Sequence, residues 1–333
     1  MTIHDIAKQL GVSAATVSLA LNGDRRVAAA TRERVLAHVR ACGFTINAQA
    51  RNFRLRRTGN VALVVHNIDG DFWHGTVKAM EDALGDAYSV IICNSDGLRD
   101  KEARLFASLL RRKVDGIIVQ PTTRDDAPYL AIQDAGVPIV LLEETPNPGL
   151  SFVKGDDYRG ALSLTRSCIR HGHRSIALLT AAVDCLGLDQ RLEGFLDAIR
   201  THPVHHRIFT APDFTEQAVQ AAVGDSSLGD FSLWICTDDT LAALLMKRLL
   251  ALGLRIPSDI SLIGWNDCRF LDYLPIPLSS VRVPMADIAR TAAHAILRSL
   301  AAGHPVTTRA HLPETLVRRS SYAPIRPTPF PEA

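Results

Sequence analysis

Thr2–Leu21, TIHDIAKQLGVSAATVSLAL, reads as two short helices joined by a tight turn. Ile3, Ile6, Ala7 and Leu10 recur at helical spacing, Gly11 sits where the chain reverses, and Val12, Val17, Ala20 and Leu21 form a second apolar face. Thr2 with Asp5, and Ser13 with Thr16, fit the capping positions at the two helix starts. The pattern is that of a helix-turn-helix. An ordinary helical hairpin would share the apolar spacing, so the rest of the chain has to discriminate.

Outward from this stretch, a turn-rich loop at 22–26 leads to a third helix over about Ala29 to Cys42, with Val35, Leu36 and Val39 facing inward and Gly43 ending it. Residues 1–60 hold ten of the 37 Lys+Arg but three of the 35 Asp+Glu, so a formal net charge of +2 conceals a basic N-terminal end and an acidic remainder. The basic end is a candidate nucleic-acid footprint, and the remainder is not. The arginine-rich stretch 47–57, NAQARNFRLRR, is too short to hold a helix alone in water. It is expected to be disordered when free and helical when docked against phosphates and a second copy of itself; a solvated basic linker is the alternative.

From Asn60 apolar runs recur at β-α-β intervals: Val61 to Val65, Val90 to Cys93, Gly116 to Val119, Ile139 to Leu142, then Ile176 to Leu179, Leu233 to Cys236 and Ile260 to Gly264. Continuous rather than alternating runs argue for parallel strands covered on both faces. The expected architecture is a small all-α helix-turn-helix headpiece (1–46), a hinge (47–58), and an α/β core (59–322) of two doubly wound parallel-sheet lobes with a cleft between them. The first lobe is placed at about 59–154 plus 284–322 and the second at about 155–283. The proline-rich tail 323–333 is expected to be disordered.

Six scattered cysteines without a C-x-x-C pair read as reduced thiols in a cytoplasmic protein. There is no cationic-then-apolar leader and no apolar run near the ~20 residues that cross a bilayer. Nucleotide-binding, zinc-protease and nucleophile-elbow motifs are missing, which argues against an enzyme. The histidines at His171, His173 and His202 to His206 lack a partner set for zinc and read as surface residues. No metal or cofactor is expected.

In order along the chain, TIHDIAKQLGVSAATVSLALNG, TRERVLAHVRACGF, NAQARNFR, RRKVDGIIVQP, GHRSIALLT, RLEGF and IPSDISLIGWND resemble successive signatures of the lactose-repressor (LacI/GalR) family of bacterial transcription regulators, across about residues 2–320. The resemblance implies a core like the periplasmic sugar-binding proteins and a homodimer on a pseudo-palindromic operator. It also implies a small-molecule effector between the lobes. It assigns base reading to Ala14, Ala15 and Leu19 and phosphate contacts to Thr16 and Ser18; Thr2, Ser13 and Asn22 complete the headpiece contact set. Asn47, Ala50, Arg51, Phe53 and Arg54 form the hinge contacts, with Phe53 as an apolar minor-groove wedge where the family usually has leucine. Leu19 departs from a commonly polar or basic position, which shifts readout toward thymine methyls and water. Headpiece packing is the alternative role for Leu19. Ala28 replaces a common capping serine, at a cost of roughly 1 kcal/mol.

Ligands in open α/β folds bind beyond the carboxyl ends of strands. Asp69, Phe72 and Trp73 follow the first run, and Asp96, Arg191, Phe214, Asp238 and Asn266 follow later ones. Aromatic faces with one arginine and several carboxylate or amide groups suit a sugar, although strand-end packing or helix capping would explain any one of these residues. The resemblance places Phe72, Trp73, Arg191, Phe214, Asp238 and Asn266 in the family's pocket, with Asn266 in place of the usual aspartate and with Ala182 and Gly187 leaving room. The expected function is an effector-controlled DNA-binding regulator, a repressor, answering to a sugar or sugar derivative. A purine- or nucleoside-responsive regulator and a periplasmic-type sugar-binding protein without DNA function are the alternatives. The C-terminus lacks leucine heptads, which favours a dimer.

Overall fold

The computed structural model describes residues 2–21, 24, 26–42, 57–68, 73, 75–224 and 228–325. The chain forms two compact units, Met1–Thr58 and Gly59–Ala333.

The first unit contains α1 (Ile3–Leu10), α2 (Ala14–Leu21) and α3 (Ala29–Ala41). Thr2 and Asp5 form a reciprocal capping box: Thr2 Oγ1 accepts from the Asp5 amide at 3.3 Å, and Asp5 Oδ2 accepts from the Thr2 amide at 2.7 Å. Gly11 ends α1 in the left-handed region (φ +64°) and sends its amide to the Ala7 carbonyl, a conformation that L side chains adopt only under strain. Ser13 Oγ accepts from the Thr16 amide at 3.0 Å and so caps α2. Ile6, Ala7, Val17, Ala20, Val27 and Val35 make the core of this unit. Arg34 Nη2 donates to the Leu10 carbonyl at 3.2 Å and His38 Nε2 to Gln9 Oε1 at 2.7 Å, which ties α3 to α1.

In the second unit the first sheet has the order β11-β5-β4-β3-β1-β2, from β1 (Asn60–Val65), β2 (Ser89–Asn94), β3 (Gly116–Val119), β4 (Ile139–Leu141), β5 (Ser151–Gly155) and β11 (Arg309–Leu312). The other sheet, β12-β10-β9-β8-β6-β7, uses β6 (Ser175–Ala181), β7 (His205–Ala211), β8 (Leu233–Cys236), β9 (Ser261–Asn266), β10 (Ser279–Arg282) and β12 (Thr315–Val317). Among the described residues all pairings are parallel except β12 against β10. Central strands β1, β3 and β8 are buried on both faces, the reason their sequences run apolar without alternation. The connecting helices are α4 (Thr76–Leu84), α5 (Arg99–Arg111), α6 (Ala127–Asp134), α7 (Asp157–Arg170), α8 (Leu186–Ile199), α9 (Glu216–Val223), α10 (Asp239–Ala251) and α11 (Met285–Ala302). Gly194 of α8 lies against the Tyr158 carbonyl and Ala161 of α7, where any side chain would collide.

Three expectations need correction. The segment 284–322 divides between the lobes instead of belonging to the first: β11 pairs with β5, whereas β12 pairs with β10 of the other sheet. The chain therefore passes from one sheet to the other three times, after β5, after β10 and after β11. The tail does not lose its partners at 323, because the Ala323 amide donates to Ser261 Oγ at 3.1 Å and its carbonyl lies 3.1 Å from His173 Nε2; residues 326–333 lie outside the described residues. His173 is thus a buried residue, stacked on Tyr322, and not a surface one.

Ala28 sits at the N-cap of α3 with ψ 140° and no side-chain hydrogen bond. Ala28→Ser fills this vacancy. The expected outcome is a gain of about 0.5–2 kcal/mol, read as slowed amide hydrogen exchange in α3 relative to α1; unchanged exchange would show the cap to be idle.

Candidate functional site

The carboxyl ends of both sheets open into one cleft. His66 and Asn67 follow β1, Gln120 follows β3, Glu143 follows β4, Phe214 follows β7 and Asp238 follows β8; with Arg191 of α8 and Asn266 at the end of β9 they line a cavity of about 330 Å³. An adjoining cavity of about 290 Å³, lined by Thr122, Arg124, Asp126 and Glu144 among others, shares His66, Gln120, Glu143 and Cys185 with it.

Of the effector residues expected from sequence, the fold brings Trp73, Arg191, Phe214, Asp238 and Asn266 together around the first cavity. Asp96 is not among its lining residues. It lies beyond the edge strand β2, where Lys101 Nζ holds it at 2.5 Å and Asn94 Nδ2 donates to it at 2.6 Å, so it is assigned no cleft role. Asp69 and Phe72 lie outside the described residues. Gly187 lines the cavity, and a Cβ there would stand 3.3 Å from both Asp157 carboxylate oxygens; Ala182 is not in the lining.

A buried chain of charges forms one wall. Asp157, in the first turn of α7, accepts from Arg191 Nε at 2.8 Å and pairs with Lys154 Nζ at 2.8 Å. Arg191 Nη1 donates to the Thr237 carbonyl at 2.6 Å, its Nη2 to Asn266 Oδ1 at 3.4 Å, and its guanidinium lies over the Trp265 ring. Asn266 Nδ2 in turn donates to Asp238 Oδ2 at 2.9 Å. Asp238 also caps α10, accepting from the Thr240 amide at 2.6 Å, so the capping and cleft roles coexist. Asn266 and Asp267 both take positive φ, +109° and +57°, an uncommon backbone for non-glycine residues that aims Asn266 between Arg191 and Asp238.

Burial works against Asp157's charge, yet the Arg191 and Lys154 charges hold its pKa below the ordinary carboxylate value. For Glu143 burial prevails: desolvation, against the pull of the Lys154 and Arg191 charges, raises it to about 7, and its Oε2, 3.6 Å from Lys154 Nζ, is buried without a hydrogen-bond partner. Glu314 is similar. It accepts from Trp265 Nε1 at 3.0 Å through Oε2 and leaves Oε1 buried without a partner, and burial lifts its pKa well above the usual range. Its carboxylate occupies a slot that exists because residues 155 and 160 are glycines.

Lys154, Asp157, Glu143 and His66 were not singled out from sequence. Lys154 carried a readable signal, a lysine inside the strand-like SFVKG, since a buried lysine requires a carboxylate partner.

The description "Bacterial regulatory proteins, lacI family" matches residues 2–47, and "Periplasmic binding protein-like domain" matches 165–322. The HTH-type transcriptional repressor PurR of Vibrio vulnificus is 28% identical over 306 residues, 90% of this chain and 92% of that protein. Residues 2–47 thus carry the match to the lacI family of bacterial regulatory proteins, ahead of a periplasmic binding protein-like domain. Among solved structures, the complex of the transcriptional regulator CelR with cellobiose superposes with a TM-score of 0.71 at 26% identity, covering 97% of this chain and all of that one. The lac repressor dimer bound to operator shares the fold, with a TM-score of 0.78 at 21% identity over 96% of this chain and 98% of that one. The chain thus joins a lacI-family DNA-binding domain to a periplasmic binding protein-like domain, the build of a DNA-binding transcriptional regulator.

In its headpiece, Ala15 is exposed, while Ala14 and Leu19 are half-buried and pack in part against the headpiece core. Ser13 and Thr16 hydroxyls lie 2.8 Å apart, and Thr2 is engaged in the α1 cap; Ser18 is half-buried on α2. Asn22 and the hinge residues Asn47, Ala50, Arg51, Phe53 and Arg54 lie outside the described residues.

Raised carboxylate pKa values make folding proton-linked. Glu143 and Asp239, both held at about 7, and Glu314, raised further, keep protons in the folded chain that the unfolded chain has released above its ordinary carboxylate range. Their stabilising contribution is complete below that range and is lost as pH rises through about 7 and beyond. His66 and His173, whose pKa values burial lowers, act in the opposite sense but only below their unfolded value near 6.5. Between pH 6.5 and 8.5 the melting temperature is therefore expected to fall, and Glu314→Gln to fall less steeply. Parallel wild-type and variant curves would refute the Glu314 contribution.

Proposed function

We propose that the chain is a homodimeric repressor that grips a pseudo-palindromic operator through its headpieces and hinges, and that a carbohydrate-class effector bound between the lobes sets its operator affinity. The observation that carries the effector site is the convergence of Trp73 and Phe214 with Arg191, Asp238 and Asn266 on one cavity at the carboxyl ends of both sheets. Aromatic faces suit the C–H faces of a sugar ring, and planar amide and carboxylate groups suit its hydroxyls. The cellobiose bound to CelR is in line with that class.

In this reading Ala14, Ala15, Leu19, Thr16, Ser18, Thr2, Ser13 and Asn22 face DNA from the headpiece. Asn47, Ala50, Arg51, Arg54 and the wedge Phe53 add hinge contacts. The chain acts in the bacterial cytoplasm and carries no catalytic role. Among the described residues no helix is long and apolar enough to cross a membrane. Effector binding rotates one lobe against the other through the three crossover segments and alters the grip of the hinge stretch 47–58 on DNA.

A sugar that raises the melting temperature of the full chain is expected to change its operator affinity about 5- to 150-fold in a gel-shift titration. Asn266→Ala is expected to remove that response while leaving effector-free operator binding in place. A bound sugar with no influence on operator affinity would sink the proposal.

A further inference from the structure

We infer that the effector of this cleft carries no negative charge: it is a neutral or amine-bearing polyhydroxylated molecule that brings hydroxyl or ammonium donors to Glu143 and Asp238. The inference rests on the cleft being the effector site.

The cations of the cleft are already committed. Arg191 is bound to Asp157, to the Thr237 carbonyl and to Asn266. Lys154 is bound to Asp157 and to Gln190 Oε1. Arg124, lining the adjoining cavity, lies 2.5 Å from Asp189 and 3.3 Å from Asp184. The fourth basic side chain of the lining, His66, has its pKa lowered by burial and spends its Nε2 proton on the Pro121 carbonyl at 2.9 Å. An anionic ligand would therefore find no uncommitted positive group among the described lining residues.

Acceptors, by contrast, are in excess. Against Lys154, Arg191 and Arg124 stand six carboxylates: Glu143, Asp157, Asp238, Asp126, Glu144 and Asp184. Glu143 Oε2 is buried, lacks a hydrogen-bond partner, and belongs to the lining of both cavities. A buried carboxylate in that state is stabilised by a donor, more so by a charged one, and is destabilised by a second anion. Specificity against phosphate- or carboxylate-bearing relatives of the effector then follows from repulsion already built into the lining.

The test is calorimetric titration of the full chain with matched sets: glucose, glucosamine, glucuronate and glucose 6-phosphate; ribose and ribose 5-phosphate; cellobiose and cellobionate. Each is repeated on Phe214→Ala, whose side chain is partly exposed in the cleft and dispensable to the core. Binding confined to neutral and amine members, and lost in Phe214→Ala, is the expected result. Glu143→Gln is expected to weaken an amine ligand about tenfold and its neutral counterpart less. An anionic member that binds as tightly as its neutral counterpart, and is lost in Phe214→Ala, overturns the inference and leaves the cleft reading standing. Binding that survives Phe214→Ala instead overturns the cleft reading.

Discussion

Asp157 is the group on which the geometry of the cleft depends. Its carboxylate is buried between Lys154 of β5 and Arg191 of α8, 2.8 Å from each, at the point where the chain leaves the first sheet for the second lobe. Burying three charges costs more than their mutual attraction returns unless the remaining donors are also satisfied. Here they are satisfied by the Thr237 carbonyl at the end of β8, by Asn266 at the end of β9 and by Gln190. Removing one partner would leave an uncompensated buried charge, at about 3–5 kcal/mol. The ends of four elements are thereby held in register by a single polar network, and Asn266 and Asp238 inherit their positions from it.

The same network stands beside the crossovers. Glu314 joins β11 of one sheet to β12 of the other, and its carboxylate lies against Gly155 and Gly160, which flank the first crossover, and against Trp265 of β9. A side chain at either glycine would expel it. Three strands thus pass between the lobes around a carboxylate that is cheaper to bury neutral than charged. The crossovers are not the sole junction of the lobes, since one buried apolar cluster, with Leu63 and Ile118 of the first sheet and Ile176 and Ile235 of the second, also spans them.

Much of this was legible in the sequence, for identifiable physical reasons. The central strands β1, β3 and β8 are buried on both faces, so their apolar runs mark them out. By contrast, β7, HHRIFTA, is an edge strand with exposed polar residues, and β5, SFVKG, hides a buried lysine; neither has the composition of a core strand. Within the cleft, Arg191 and Asn266 stand near strand ends where ligands bind, but their partners Lys154 and Asp157 are recognisable only once β5 and α7 are folded against α8. Asp96 shows the converse. It follows a strand as the rule requires, yet that strand is at the sheet edge, away from the cleft.

The headpiece poses a different constraint. Among the described residues its cohesion comes from six buried apolar side chains and from caps at Thr2, Gly11 and Ser13, so α2 is held firmly without a polar group from Ala14, Ala15 or Leu19. Ala14, Ala15 and Leu19 have no side-chain donor or acceptor, and Leu19 is partly withdrawn into the core. A bidentate pair to a base edge, worth about 1–3 kcal/mol of discrimination, cannot come from any of the three. In the proposed reading, discrimination between operators falls to Asn22 and the hinge residues, to methyl contacts, bridging water, the deformability of the site and the spacing of its halves. Spacing and deformation are properties of two headpieces acting together. In that reading the regulator is sensitive to small changes in how its halves are held, and holding them is the task proposed for the core.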